Sequence, residues 1–263
     1  MQKLKSGDIA ALMMLLWLAV YAAVVTFLPK WSSFVTIAAC TLPMLLFKQK
    51  HRSATFGARD CDTVKYKKKE YIPFFIFTIS GCALISALMF LAYKAAGYAT
   101  AAAGQEKDFF FLLVFSCMLP AFFEEWLLRG GVLGALAKYG TSGIWLCAIF
   151  FALIHHISKL PYTLFAGLLI TSLVYVTECI YLGMLLHFLN NFTSLILSYL
   201  SGAAEYAALA LAAAAFAVSF VLLGKSKLLA DVKKAVFSPK EENSKYVYTP
   251  LALVFVALAI VVL

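Results

Sequence analysis

Charge is what this sequence has least of: only 13% of its 263 residues are Asp, Glu, Lys or Arg, against 63% hydrophobic. With a mean hydropathy of +0.90, the chain carries too much apolar surface for a water-soluble domain, and its main solvent must be lipid. Paired cysteines are also missing. The six cysteines (Cys40, Cys61, Cys82, Cys117, Cys147, Cys179) form no CxxC, and five lie within or at the edge of apolar runs. They read as small packing residues, which excludes a disulfide framework and a sulfur-ligated metal as expectations. The chain has no Gly/Ser linker, no internal repeat and no second composition regime, so residues 1–263 are expected to form a single integral membrane domain. No small-x-small cleavage site follows the first apolar run, where the chain instead reads "TFLPKW", and that run is expected to be a retained signal-anchor helix.

Against this apolar background the basic residues are clustered. Two of the 22 Lys and Arg precede the first span, eight lie from Lys48 to Lys69 and six from Lys225 to Lys245. Clusters that flank apolar runs are the positive-inside signature of a multi-pass protein. They account for the net charge of +9 without nucleic acid as a partner, the bilayer itself being the expected one. The clusters are assigned to the cytoplasm, with the N-terminus, in a protein of the cell (plasma) membrane. Apolar runs of spanning length, about 17 to 25 residues, lie near 9–28, 72–93, 109–128, 160–177, 179–201 and 206–223, with shorter ones at 33–47, 143–156 and 248–263. The expected fold is all-α, a polytopic transmembrane helical bundle of eight or nine spans.

A few ionisable residues remain inside the apolar runs: Glu124, Glu125, Arg129, His155, His156 and His187, with Glu178 and Glu205 at boundaries. Each charge at the centre of a membrane helix costs about 2.5 to 3.5 kcal/mol, so a group of acids and histidines there calls for a function. Helical spacing sorts them. Glu125 and Arg129 are four residues apart and can pair, whereas Glu124 is turned about 100° away. Phe151 and His155 share one face, and His187 and Asn191 another, with Asn190 off that face. Counting from a turn near Tyr139 and Gly140 places Glu124 and His155 at matching depth on antiparallel neighbours. Pro120, one turn before Glu124, should kink its helix, and Gly130, Gly131 and Gly134 mark close packing or a further bend. The Ala-rich run from Ala207 to Ala215 suits helix packing in lipid.

The motifs EEWLLR (EExxxR: Glu124, Glu125, Arg129), FALIH (FxxxH: Phe151, His155) and HFLNN (HxxxN: His187, Asn191) occur in this order on separate spans. Together they resemble the CPBP family of intramembrane proteases, also called the CAAX protease and bacteriocin-processing or Abi family. The resemblance covers about residues 109–200, and no motif position departs from the pattern. It implies Glu124, His155 and His187 as catalytic or metal-binding groups, with Asn191 beside them and Glu125, Arg129 and Phe151 in support. It implies an endopeptidase acting on a membrane-anchored peptide or protein, with CAAX tails and bacteriocin leaders both open as substrates.

Two schemes suit these residues. Without a metal, Glu124 takes a proton from a water that His155 orients, while His187 and Asn191 donate to the oxyanion. With zinc, Glu124, His155 and His187 supply three ligands and leave one position for water. There is no HExxH helix, and no serine with a nearby base stands out as a nucleophile. Four residues, Glu124, His155, His187 and Asn191, are expected to line one water-filled cavity open toward the cytoplasm. A coupled transporter with midplane Glu, His and Arg, or a non-catalytic immunity or scaffold protein, is the alternative.

Overall fold

The computed structural model describes residues 6–28, 30, 34–48, 66–97, 108–155, 157–238 and 248–262. His156 and Cys61 lie outside them. Helices account for nearly all of these residues, and no strand occurs among them.

The lengths of the helices follow from the apolar runs. The first, α1 (Ser6–Phe27), has 22 residues, or about 33 Å at 1.5 Å per residue, enough to cross the hydrocarbon. It is followed by α2 (Val35–Lys48) and α3 (Lys68–Ala95). An irregular helix, α4 (109–139), then leads through Gly140 into α5 (Gly140–Leu153). Beyond it come α6 (Leu160–Thr177), α7 (Ile180–Ser198), α8 (Ala203–Leu223), α9 (Lys227–Phe237) and α10 (Pro250–Val262).

Six helical stretches are long and apolar enough to cross a membrane, and α2 and α10 are shorter apolar helices. One of the six, Phe109–Leu153, has 45 residues. It is divided where Gly140 takes φ 51°, ψ −127°, a conformation that a side chain would oppose. Dividing it there makes seven, and the two short helices bring the apolar segments to nine among the described residues, the upper of the two expected counts.

Packing sets the positions. α1 lies against α2, α10 and the 126–136 stretch of α4, with Ala10, Ala11 and Met14 fully buried. Gly131 lies under the ends of two methionine side chains, Met13 of α1 and Met44 of α2, and a Cβ there would lie 2.7 Å from Met44 Sδ. Gly130 is in ordinary contact with its neighbours. α3 pairs with α8 through stacked Phe77 and Phe216, whose ring centroids are 4.7 Å apart. Leu211, Val218, Val221 and Leu222 of α8 point outward, as expected where lipid replaces water. α6 turns into α7 over two residues, and Glu178 takes the left-handed φ of 57° to cap α6.

α9 falls in a segment whose composition reads as a polar loop. Its Leu228, Val232 and Val236, spaced by four, are buried against α5, α6 and α3, while Lys227, Lys233 and Lys234 are exposed. Polar bonds fix it: Tyr66 donates to Asp231 Oδ2 at 2.7 Å, and Glu70 Oε2 accepts from Ser226 Oγ at 2.9 Å and Leu228 N at 3.0 Å. Trp145 Nε1 and Thr141 Oγ1 donate to the carbonyls of Val236 and Ala235. The basic residues of α9 and the start of α3 therefore share one end of the bundle.

The expectation of no disulfide is corrected at Cys179, which is disulfide-bonded. Cys40, Cys82, Cys117 and Cys147 are free and buried, as small packing residues would be. Cys179 follows the C-terminal end of α6, which packs on α9, so it belongs to the basic end. Disulfides persist in oxidising compartments, whereas basic clusters favour the cytoplasm. A reporter fused after Lys234 is expected to read cytoplasmic and one at Gly104 external. The reverse result would mean that the oxidising side, not the charge, marks the basic end.

Candidate active site

The local structure around Glu124 follows from Pro120. Proline has no N–H, so the carbonyl four residues earlier, Ser116, loses its helical donor. The helix answers by widening: Leu113–Met118 is π-helical, and Leu119 N–H reaches Val114 O. Asn191 of α7 supplies the missing donor, its Nδ2 lying 3.3 Å from Ser116 O. A second π-helical stretch, Trp126–Leu133, follows Leu119–Glu125. Wide turns of this kind concentrate at functional sites, and here two of them bracket the paired glutamates.

Those glutamates have different surroundings. Glu125 is fully buried, and its Oε1 accepts from Arg129 Nη1 at 2.6 Å and from His187 Nδ1 at 2.8 Å. Arg129, also fully buried, donates from Nη2 to Gly167 O at 3.1 Å, and its guanidinium lies 4.6 Å from the Phe151 ring centre. The expected i,i+4 ion pair is therefore present. Gly183 allows α7 close enough for the His187 bond, since a Cβ there would stand 2.6 Å from Val174 Cγ2 and 3.1 Å from Glu125 Oε2.

Glu124 faces the other way, into a cavity of about 600 Å³. Its Oε2 has no hydrogen-bond partner and stands 3.9 Å from His155 Nε2. Counting residues from Gly140 thus brings the intended pair together. His155 Nδ1 lies 2.8 Å from Phe151 O. A carbonyl can only accept, so Nδ1 carries the proton, and the Nε2 of the neutral ring offers a lone pair toward Glu124. Phe151 forms the partition of the site. His155 packs on it with ring centroids 4.8 Å apart, and His187 packs edge-on at 5.4 Å.

Of the four residues expected around one cavity, Glu124, His155 and Asn191 line it, together with Pro120, Tyr162 and Lys159. His187 does not. It is 2% exposed, with its Nδ1 held by Glu125. The structure thus places His187 against Glu125 rather than on the cavity wall beside Asn191. The cavity walls come from the C-terminal halves of α3 and α7, the 158–159 turn and the start of α4. Those parts lie at the end opposite α9, so the cavity and the basic residues of α9 are at different ends of the bundle.

A zinc ion held by Glu124, His155 and His187 would need three converging donors. Among the described residues, no three His, Cys, Asp or Glu groups are placed to share a metal. Glu124 and His155 approach each other, but His187 has its Nδ1 on Glu125 and is not on their cavity wall, so as placed these three do not converge on one ion.

Sequence reading misses Tyr162 and gives Asn190 no task. Asn190 Nδ2 donates to Tyr162 Oη at 2.6 Å, and Tyr162 is part of the cavity wall. Their one sequence signal is the first asparagine in HFLNN, which lies off the face shared by His187 and Asn191.

No curated protein and no solved structure matches the chain. A family model does, over residues 106–193, a third of the chain that holds all three motifs. On that match the segment that carries Glu124, His155, Tyr162 and Asn191 resembles the type II CAAX prenyl endopeptidase Rce1-like family, which is consistent with the CPBP/Abi intramembrane proteases and supports a CAAX-type endopeptidase at family level.

Proposed function

We propose that this protein hydrolyses a peptide bond of a membrane-anchored, CAAX-type substrate by activating water at Glu124. The observation that carries the reading is the unpartnered Glu124 Oε2, set 3.9 Å from His155 Nε2 at the wall of a cavity. A buried carboxylate oxygen with no donor is costly unless water or substrate reaches it. One water with hydrogen bonds of about 2.8 Å can touch both atoms. Glu124 then takes its proton, and the His155 lone pair holds the other hydrogen so that the oxygen faces the substrate carbonyl. Asn191 keeps the widened helix in place through Ser116. Glu125, Arg129 and His187 hold the helices at the back of Phe151. Met89 and Phe90 supply apolar wall beside the polar groups, which suits a substrate that enters from lipid.

The test is cleavage of a farnesylated CAAX-tailed peptide by the purified full-length protein in nanodiscs, followed by mass spectrometry. The expected result is one internal cut that releases the tail. A leader-type peptide cut in preference would keep the endopeptidase and change the substrate. Absence of cleavage alongside proton-coupled uptake into vesicles would replace the reading with a transporter.

A further inference from the structure

Hydrolysis leaves one task without a clear owner. When water adds to a peptide carbonyl, the oxygen becomes an anion, and a fixed donor must meet it. His187 does not line the cavity, Asn191 has one amide hydrogen on Ser116 O, and the Tyr93 hydroxyl donates to Ser158 O at 2.9 Å. Tyr162 differs from all three. Its hydroxyl oxygen accepts from Asn190 Nδ2 at 2.6 Å. A hydroxyl has two acceptor sites and one proton; Ser194 is the other side chain in hydrogen-bonding reach of the phenol, and the proton can turn from it to a substrate oxygen in the cavity. The phenol stands in the first turn of α6, on the same cavity as Glu124 and His155. Asn190 sits in the middle of α7, where Ser194 Oγ donates to its main-chain carbonyl at 3.1 Å. The result is a phenol held from behind by Asn190, its proton bound by nothing stronger than a neighbouring hydroxyl, and charge-assisted bonds to a developing anion are strengthened where water is scarce.

We propose that Tyr162 donates the hydrogen bond that stabilises the oxyanion, and that Asn190 is the residue that positions it. The proposal rests on the endopeptidase reading. In the step, the water oxygen bonds to the carbonyl carbon while Glu124 takes one water proton, and the carbonyl π pair moves onto oxygen. Tyr162 holds that oxygen without giving up its proton. When the pair returns, the C–N bond breaks, and the nitrogen leaves with the proton carried by Glu124. Peptide and water become acid and amine, and the enzyme is unchanged.

The experiment compares wild type, Tyr162→Phe, Asn190→Ala and Glu124→Gln on the farnesylated peptide, with inhibition by a phosphinate analogue as a second readout. Loss of one oxyanion donor is expected to lower kcat by about 10² to 10³. Tyr162→Phe should show this with KM within about twofold, and should weaken the phosphinate by a similar factor. Asn190→Ala should lose less, about tenfold in kcat, because the phenol is loosened rather than removed. Should Tyr162→Phe fold poorly, the ratio of phosphinate to substrate affinity in the surviving fraction still decides. An unchanged kcat and phosphinate affinity, or a rise in KM alone, overturns the proposal while wild-type cleavage preserves the endopeptidase reading. Wild type that cuts nothing, or Glu124→Gln that cuts as fast, overturns both.

Discussion

Replacing Glu124 by Gln is expected to reduce cleavage by about 10² to 10⁴, the usual contribution of a general base, in a protein that still folds. The amide is close to isosteric with the carboxylate and cannot take a proton from water. Stability should hold because Glu124 has little to lose: its Oε2 has no hydrogen-bond partner, and its neighbour His155 is 3.9 Å away. Removing a negative charge from partly buried surroundings relieves desolvation rather than adding to it. The checks are the rate on the farnesylated peptide and the thermal midpoint of the purified variant. A variant that keeps wild-type rate would remove Glu124 from the chemistry. Full loss of folding would mean that Glu124 holds the bundle together, as the ion-paired Glu125 does.

This division between neighbouring glutamates is legible in the sequence, because it depends only on helix geometry. Glu125 and Arg129 are one turn apart, and Glu124 is not aligned with either. The alignment of Glu124 with His155 is legible for the same reason, both being counted from Gly140. What escapes depends on departures from ideal helices or on tertiary partners. The π-helical stretches at 113–118 and 126–133 change how many residues complete a turn, and periodicity arguments assume a constant number. His187 shares a helix face with Asn191, but the approach of α7 at Gly183 decides that its Nδ1 reaches Glu125. Helical spacing reports which side chains share a face, not which neighbour the face meets.

Two other omissions have the same origin. The amphipathic α9 is hidden in a charged segment because lysines dominate its composition, although Leu228, Val232 and Val236 recur at helical spacing. Tyr162 carries no pattern at all. A tyrosine near the start of a span reads as an interfacial anchor, and only its bond from Asn190 marks it as more. The polar groups that the sequence isolates therefore lead to one cavity but give an incomplete wall.

The largest expected effect on stability belongs to Arg129→Ala. Both members of the pair are fully buried, and Arg129 Nη1 meets Glu125 Oε1 at 2.6 Å. Removing one partner of such a pair typically costs about 3 to 5 kcal/mol, because the other charge is left without compensation. Three further losses add to it: the Nη2 bond to Gly167 O, the guanidinium over Phe151, and the volume of the side chain itself. His187 cannot make up the difference, since its Nδ1 already donates to the same Glu125 oxygen. The expected outcome is a sharp fall in yield of folded protein and in thermal midpoint, read by size exclusion and tryptophan fluorescence. Arg129→Lys should fall between alanine and wild type, keeping the charge but losing the second bond and the planar stack. The double change Glu125→Leu with Arg129→Met should recover part of the loss, since two apolar side chains of similar size leave no stranded charge. Wild-type stability for Arg129→Ala, or a double variant worse than the sum of its singles, would show that the buried pair does not hold this part of the bundle together.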